Sequence, residues 1–121
     1  MPLTKRIMAV GMSAQMANAV NGFVVIYASV STTVSQAAAT ALTGDINLIP
    51  NSQAAGAVLL PSDAVQGDTI TVTNVTGNNV TVYPPVGDKL MGGATNAGVV
   101  LATGATVQWT FSGDGVNWYL T

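Results

Sequence analysis

The 121-residue chain contains no cysteine, no histidine and no glutamate. The absence of cysteine removes disulfide frameworks, thiolate nucleophiles and cysteine-based zinc sites. The absence of histidine removes Ser-His-Asp triads and imidazole acid–base chemistry. Charge is scarce as well, at 7% of residues, against about 25% in an average soluble domain. The basic residues are Lys5, Arg6 and Lys89; the acidic ones are Asp45, Asp63, Asp68, Asp88 and Asp114, for a net charge of −2. No basic stripe is present to neutralise phosphates, so no nucleic-acid partner is expected. Long apolar runs are missing too. Residues 23–30 form an eight-residue stretch, far short of a membrane span. Ser13, Gln15, Asn18, Asn21 and Gly22 separate it from the charged start, which makes a poor secretory leader. The chain is therefore expected to be soluble, with no membrane partner.

Scarce charge has a second consequence. Natural sheets guard their edges with lysine, proline or bulges, because a bare edge pairs with other chains. Lys89 is the single basic residue after position 6. Edges and apolar surface are therefore expected to be covered by partner chains.

The pattern along the chain is that of an all-β domain. Residues 23–30 (FVVIYASV) read as a buried strand, being rich in β-branched and aromatic side chains. Residues 46–49 read as an alternating strand with Ile46, Leu48 and Ile49 inward, and 57–60 as a short strand ending at Pro61. Residues 69–75 (TITVTNV) alternate strictly, with Ile70 and Val72 on one face. Thr76-Gly77-Asn78 suggests a tight turn, with residues 80–83 as the hairpin partner. Residues 98–101 and 106–111 are expected to pair around Thr103-Gly104, with Val107, Trp109 and Phe111 on one inward face. Residues 112–115 close a last hairpin onto 116–120. The predicted core is Ile70, Val72, Val107, Trp109 and Phe111. Strands spaced this closely predict a β-sandwich or a jelly-roll-like barrel.

The first third differs. Met8, Met12, Met16 and Val20 recur every four residues, which suits one face of a short helix capped by Ser13 and ended by Gly22. Residues 1–34 are read as a helical or extended arm with the first strand, and 35–121 as the β-domain.

Candidate sites are few. A calcium loop of the EF-hand type needs a closing glutamate, which the chain lacks, and Gly-Asp pairs are also ordinary turn chemistry. Asp114 and Asn117 are the residues best placed to ligate a metal, but no metal or other cofactor is expected. Glycoside cleavage needs two opposed carboxylates, and the spacing of the five aspartates favours no such pair. The chain is not expected to be an enzyme. Asn74-Val75-Thr76 and Asn79-Val80-Thr81 match the glycosylation sequon but read as strand and turn residues. Trp118 and Tyr119 fall on opposite faces of one strand, so one of them could meet a partner.

Several segments together carry a resemblance: SQAAATALTGDIN (35–47), VLLP (58–61), GDTITVTN (67–74), VTVYPPVG (80–87), LATGATV (101–107) and VNWY (116–119). In this order they resemble a β-domain of virion structural proteins of tailed bacteriophages, among them capsid decoration (cement) proteins and head fibres. The resemblance covers residues 35–121 and rests on turn-and-strand patterns. It implies a homotrimer on the outer capsid surface, bridging copies of the major capsid protein, made in the bacterial cytoplasm and located on the virion. The segment ahead of the domain would then be the anchor, with Lys5, Arg6, Met8, Met12 and Met16 as candidate capsid contacts. One alternative keeps the fold as a head- or tail-fibre domain that binds host glycans through an exposed aromatic at Trp118 or Tyr119. Another is a secreted adhesin or pilin-like subunit, recognisable by cleavage of its N-terminal segment.

Overall fold

The computed structural model describes residues 24–27, 29–50, 55–112 and 114–121. Ten strands run through it in chain order: β1 (Val24–Ile26), β2 (Thr40–Ala41), β3 (Ile46–Ile49), β4 (Gly56–Leu59), β5 (Thr69–Asn74), β6 (Val80–Tyr83), β7 (Lys89–Leu90), β8 (Val99–Leu101), β9 (Thr106–Phe111) and β10 (Asn117–Leu120). Among the described residues all regular structure is β, as the alternation predicts, and no helix is long and apolar enough to cross a membrane.

The strands form two sheets, ordered β1-β3-β5-β9-β10-β7 and β2-β4-β6-β8. Through β6 the chain crosses from one sheet to the other at every strand. Each strand then lies parallel to the one two before it: β1 with β3, β3 with β5, β2 with β4, and β4 with β6. This is a β-solenoid-like winding rather than the antiparallel succession of a sandwich or jelly roll. Beyond β6 the winding reverses. β8 runs antiparallel on β6, β9 antiparallel on β5, and β10 folds back on β9 with β7 beside it.

Two predicted hairpins are therefore corrected. β5 and β6 do not pair; they lie in different sheets. A tight two-residue hairpin needs left-handed residues in its turn, and none of residues 75–79 has positive φ. Side chains hold this arch open instead. Asn74 Oδ1 accepts from the Thr76 amide (3.0 Å), while Asn74 Nδ2 donates to Asn78 O (2.9 Å) and Leu101 O (3.0 Å). β8 and β9 also lie in different sheets, and the Gly104 amide donates to Asn74 O at 2.7 Å, drawing the loop across. The β9–β10 hairpin forms as expected, with Gly115 left-handed at φ 77°.

The core lies between the sheets. One sheet contributes Ile49, Ile70, Val72, Trp109 and Trp118; the other contributes Val58, Val80, Val82 and Leu101. Val107 and Phe111 pack against this cluster while half-buried. In β3 the expectation holds for Ile49 and fails for Ile46 and Leu48. Asn47 and Ile49 face inward, and Ile46 and Leu48 face out. Sequence alternation fixes which residues share a face but not which face is buried. Here an inward asparagine is tolerated because its polar atoms are satisfied. Asn47 Oδ1 accepts from Tyr27 Oη (2.9 Å) and the Gly44 amide (3.1 Å), and Nδ2 donates to Gly44 O (2.8 Å) and Thr71 O (3.2 Å). The strand predicted as buried at 23–30 is a three-residue edge strand, β1, with Ile26 67% exposed. It is an edge because, among the described residues, nothing stacks beyond it.

Candidate functional site

Three features could carry function: an acidic cleft, the surface aromatics and the sheet edges. The cleft, of 540 Å³, opens where the β2–β3 turn meets the β4–β5 loop and is lined by Thr43, Asp45, Ser62, Asp63 and Asp68 among others. Tandem loops at one end of two successive coils bring together three aspartates that are distant in sequence. Burial, and then the charge of Asp68, push the Asp45 carboxyl above its ordinary value. Asp68 is committed to its own turn: Oδ2 accepts from the Val65 amide (3.0 Å), and the Asp68 amide donates to Val65 O (3.0 Å). Among the described residues no three acidic side chains converge closely enough to hold a metal ion. The cleft thus presents a weakly acidic, hydroxyl-lined surface.

Asp114 is likewise used up by its turn. Its Oδ1 accepts from Ser112 Oγ and from the amides of Val116 and Asn117, and its Oδ2 accepts from Asn117 Nδ2. These donors hold the carboxyl well below the usual carboxylate range, with Asn117 the largest contributor. Asn117 turns its nitrogen, not its oxygen, toward Asp114, so this pair offers no shared oxygen pocket for a cation. The buried Asn117 Oδ1 accepts no hydrogen bond.

The aromatics are mostly interior. Trp118 is fully buried, with its ring centroid 4.8 Å from Phe111 and its Nε1 donating to Asp88 Oδ2 at 3.2 Å. That excludes Trp118 as an exposed glycan platform. Trp109 is buried too, and its Nε1 has no acceptor. Tyr83 is half-buried under the loop at Gly98, where an added Cβ would come within 2.8 Å of its ring and 2.6 Å of Thr81 Cγ2. Tyr119 is exposed on the outer face, opposite Thr110.

The edges differ from one another. β7 has two residues, one of them Lys89, and so is both short and charged. β1 and β8 carry no charge and expose Val24, Ile26, Val99 and Val100. Met91, Tyr119 and Leu120 are exposed near the β7–β10 border, where the Leu120 amide donates to Met91 Sδ at 3.2 Å. These apolar edges are the largest departure from an ordinary, self-contained surface.

Lys5, Arg6, Met8, Met12 and Met16, and the helix expected there, lie outside the described residues. What residue-type reasoning missed is the polar network of Asn47, Asn74 and Thr76, all buried. The Asn74-Val75-Thr76 tripeptide carried a usable signal, because Asx and Ser/Thr side chains commonly close arches onto their own backbone. With Asn74 fully buried and both amide hydrogens donated, this sequon is a structural motif.

No protein-family model matches the chain, and no curated protein matches it.

Proposed function

We propose that the chain is a virion structural protein, a capsid decoration protein that binds the outer shell as a homotrimer and stabilises it. The observation that carries this reading is the pair of charge-free, apolar strand edges on a domain with almost no other charge. Such edges suit a protein that works by burying surface against partners. The resemblance of residues 35–121 to phage virion β-domains supplies the setting and names the major capsid protein as partner. Lys5, Arg6 and the methionines at 8, 12 and 16 are the proposed shell contacts, and the activity is mechanical rather than catalytic. A specific interface of this kind buries roughly 1,600 Å². Many copies on one lattice add multivalency to modest individual affinities.

A second reading, a fibre domain that binds host glycans, is favoured by exposed Tyr119, which has Thr110 opposite it and the Thr110–Thr121 hydroxyl pair (3.0 Å) nearby. Quantitative mass spectrometry of purified particles separates the two. Copy number matching the three-fold positions of the shell supports decoration. A few copies per particle supports the fibre, and absence from particles overturns both.

A further inference from the structure

The six-stranded sheet has an outer face whose composition follows from its register. Val24 and Ile26 of β1 stand on the same side as Ile46 and Leu48 of β3, which align with Thr71 and Thr73 of β5. Asn47, Ile49, Ile70 and Val72 point to the core, so this side is the outer one. On β9 it continues as Thr106, Gln108 and Thr110, and on β10 as Tyr119. The four-stranded sheet differs. Ala57, opposite Thr81 on its outer face, is fully buried.

Two properties make the open face cheap to dry. Among the strand residues of this sheet Lys89, on the last strand, is the single charge. Its threonines also satisfy one another: the hydroxyls of Thr73 and Thr106 lie 3.0 Å apart, as do those of Thr110 and Thr121. Hydroxyls already paired within the sheet lose little when water leaves.

We propose that this outer face is the surface through which copies of the chain meet. The inference rests on the homotrimer reading and deepens it by placing the contact. A face without carboxylates and with one lysine offers a charged partner nothing to pair with, whereas a second copy matches it in kind. Size agrees too. Six strands about 4.8 Å apart and up to six residues long give an outline on the order of 500 Å², before side-chain relief is counted, on the scale of the roughly 800 Å² per partner of a standard interface. The two flanks are unlike, with aliphatic side chains on β1 and β3 and Tyr119 on β10. Around a three-fold axis the aliphatic flank of one copy meets the Tyr119 flank of the next, and the ring closes. Gln108 and Thr71, opposite each other in the middle of the face, then lie toward the axis.

Light scattering on the wild-type chain and on the Leu48→Lys and Gln108→Lys variants tests this, with near-ultraviolet circular dichroism as the check on folding. Gln108 is exposed, so its replacement leaves the single chain folded even if Leu48→Lys does not. Both lysines would be buried unpaired between copies, so each should lower the wild-type mass threefold and raise the dissociation constant at least about a hundredfold. A wild-type trimer that persists in Gln108→Lys overturns the proposed face and leaves the trimer standing. A wild-type monomer overturns the face and the homotrimer together.

Discussion

The two ends of the stack solve the same problem differently. At the C-terminal end the parallel winding stops: β9 and β10 reverse direction, both tryptophans are placed there, and the last strand of that sheet, β7, is two residues long and carries Lys89. At the N-terminal end the parallel winding simply runs out at β1 and β2, with apolar side chains exposed and no charge. In the six-stranded sheet a strand reversal plus one lysine guards the edge at β7, while β1 at the other side is left bare; in the four-stranded sheet the antiparallel β8 reverses too but, carrying no charge, stays an apolar edge. The difference lies in topology, since both ends draw on the same valine- and threonine-rich composition.

The largest effect that sharpens this comparison is at the closed end. Trp109→Ala should destabilise the domain by about 3–5 kcal/mol, read by chemical denaturation, because it empties a buried site. Ile26→Ala at the open end should cost under about 0.5 kcal/mol if that side chain stays exposed. A larger loss there would mean that another chain covers the edge. Asn74→Ala should come next, at about 2 kcal/mol, since it strips partners from Leu101 O, Asn78 O and the Thr76 amide. An unchanged denaturation midpoint would mean that the arch is held by its backbone alone. Gly98→Ala, where Cβ would meet Thr81 and Tyr83, should cost about 1–2 kcal/mol by overpacking, and unchanged stability would mean that the loop simply lifts away.

The smallest effects are electrostatic and opposite in sign. Asp45, beside the coils, has a raised carboxyl pKa, so its folded state holds a proton that the unfolded chain has lost; stability falls as pH rises from 3.8 through the raised value. Asp114, in the closed end, has a lowered pKa. Its contribution is present above 3.8 and is lost as pH falls from there toward the lowered value. Thermal melts across acidic pH should therefore show Asp45→Asn removing a decline on the rising side and Asp114→Asn removing one on the falling side. The same sign for both would contradict the assigned causes.

Strand identity was legible because alternation is a local signal: residues 69–74 and 106–111 are strands, and Ile70, Val72 and Trp109 face the core. Partnership was not legible. Whether Val80 returns beside Thr73 or crosses to another sheet depends on the backbone sign of one turn, and the Thr76-Gly77-Asn78 tripeptide permits both. In β3 Ile49 is inward as its type suggests, but Ile46 and Leu48 are not, because the inward place between them goes to a polar residue, Asn47, which four hydrogen bonds make an interior residue. The cleft was invisible for a similar reason. Asp45, Asp63 and Asp68 line one cleft only because successive coils stack their loops at one end.

The proposed assembly would bury the uncharged apolar edges β1 and β8 against copies of the same chain. The most direct test is the solution mass of the purified chain, by light scattering, at low and at high salt. A homotrimer, three times the 12.2 kDa chain mass, is predicted at both, because an apolar interface has few charges for salt to screen. A monomer at both salt concentrations would contradict the claim.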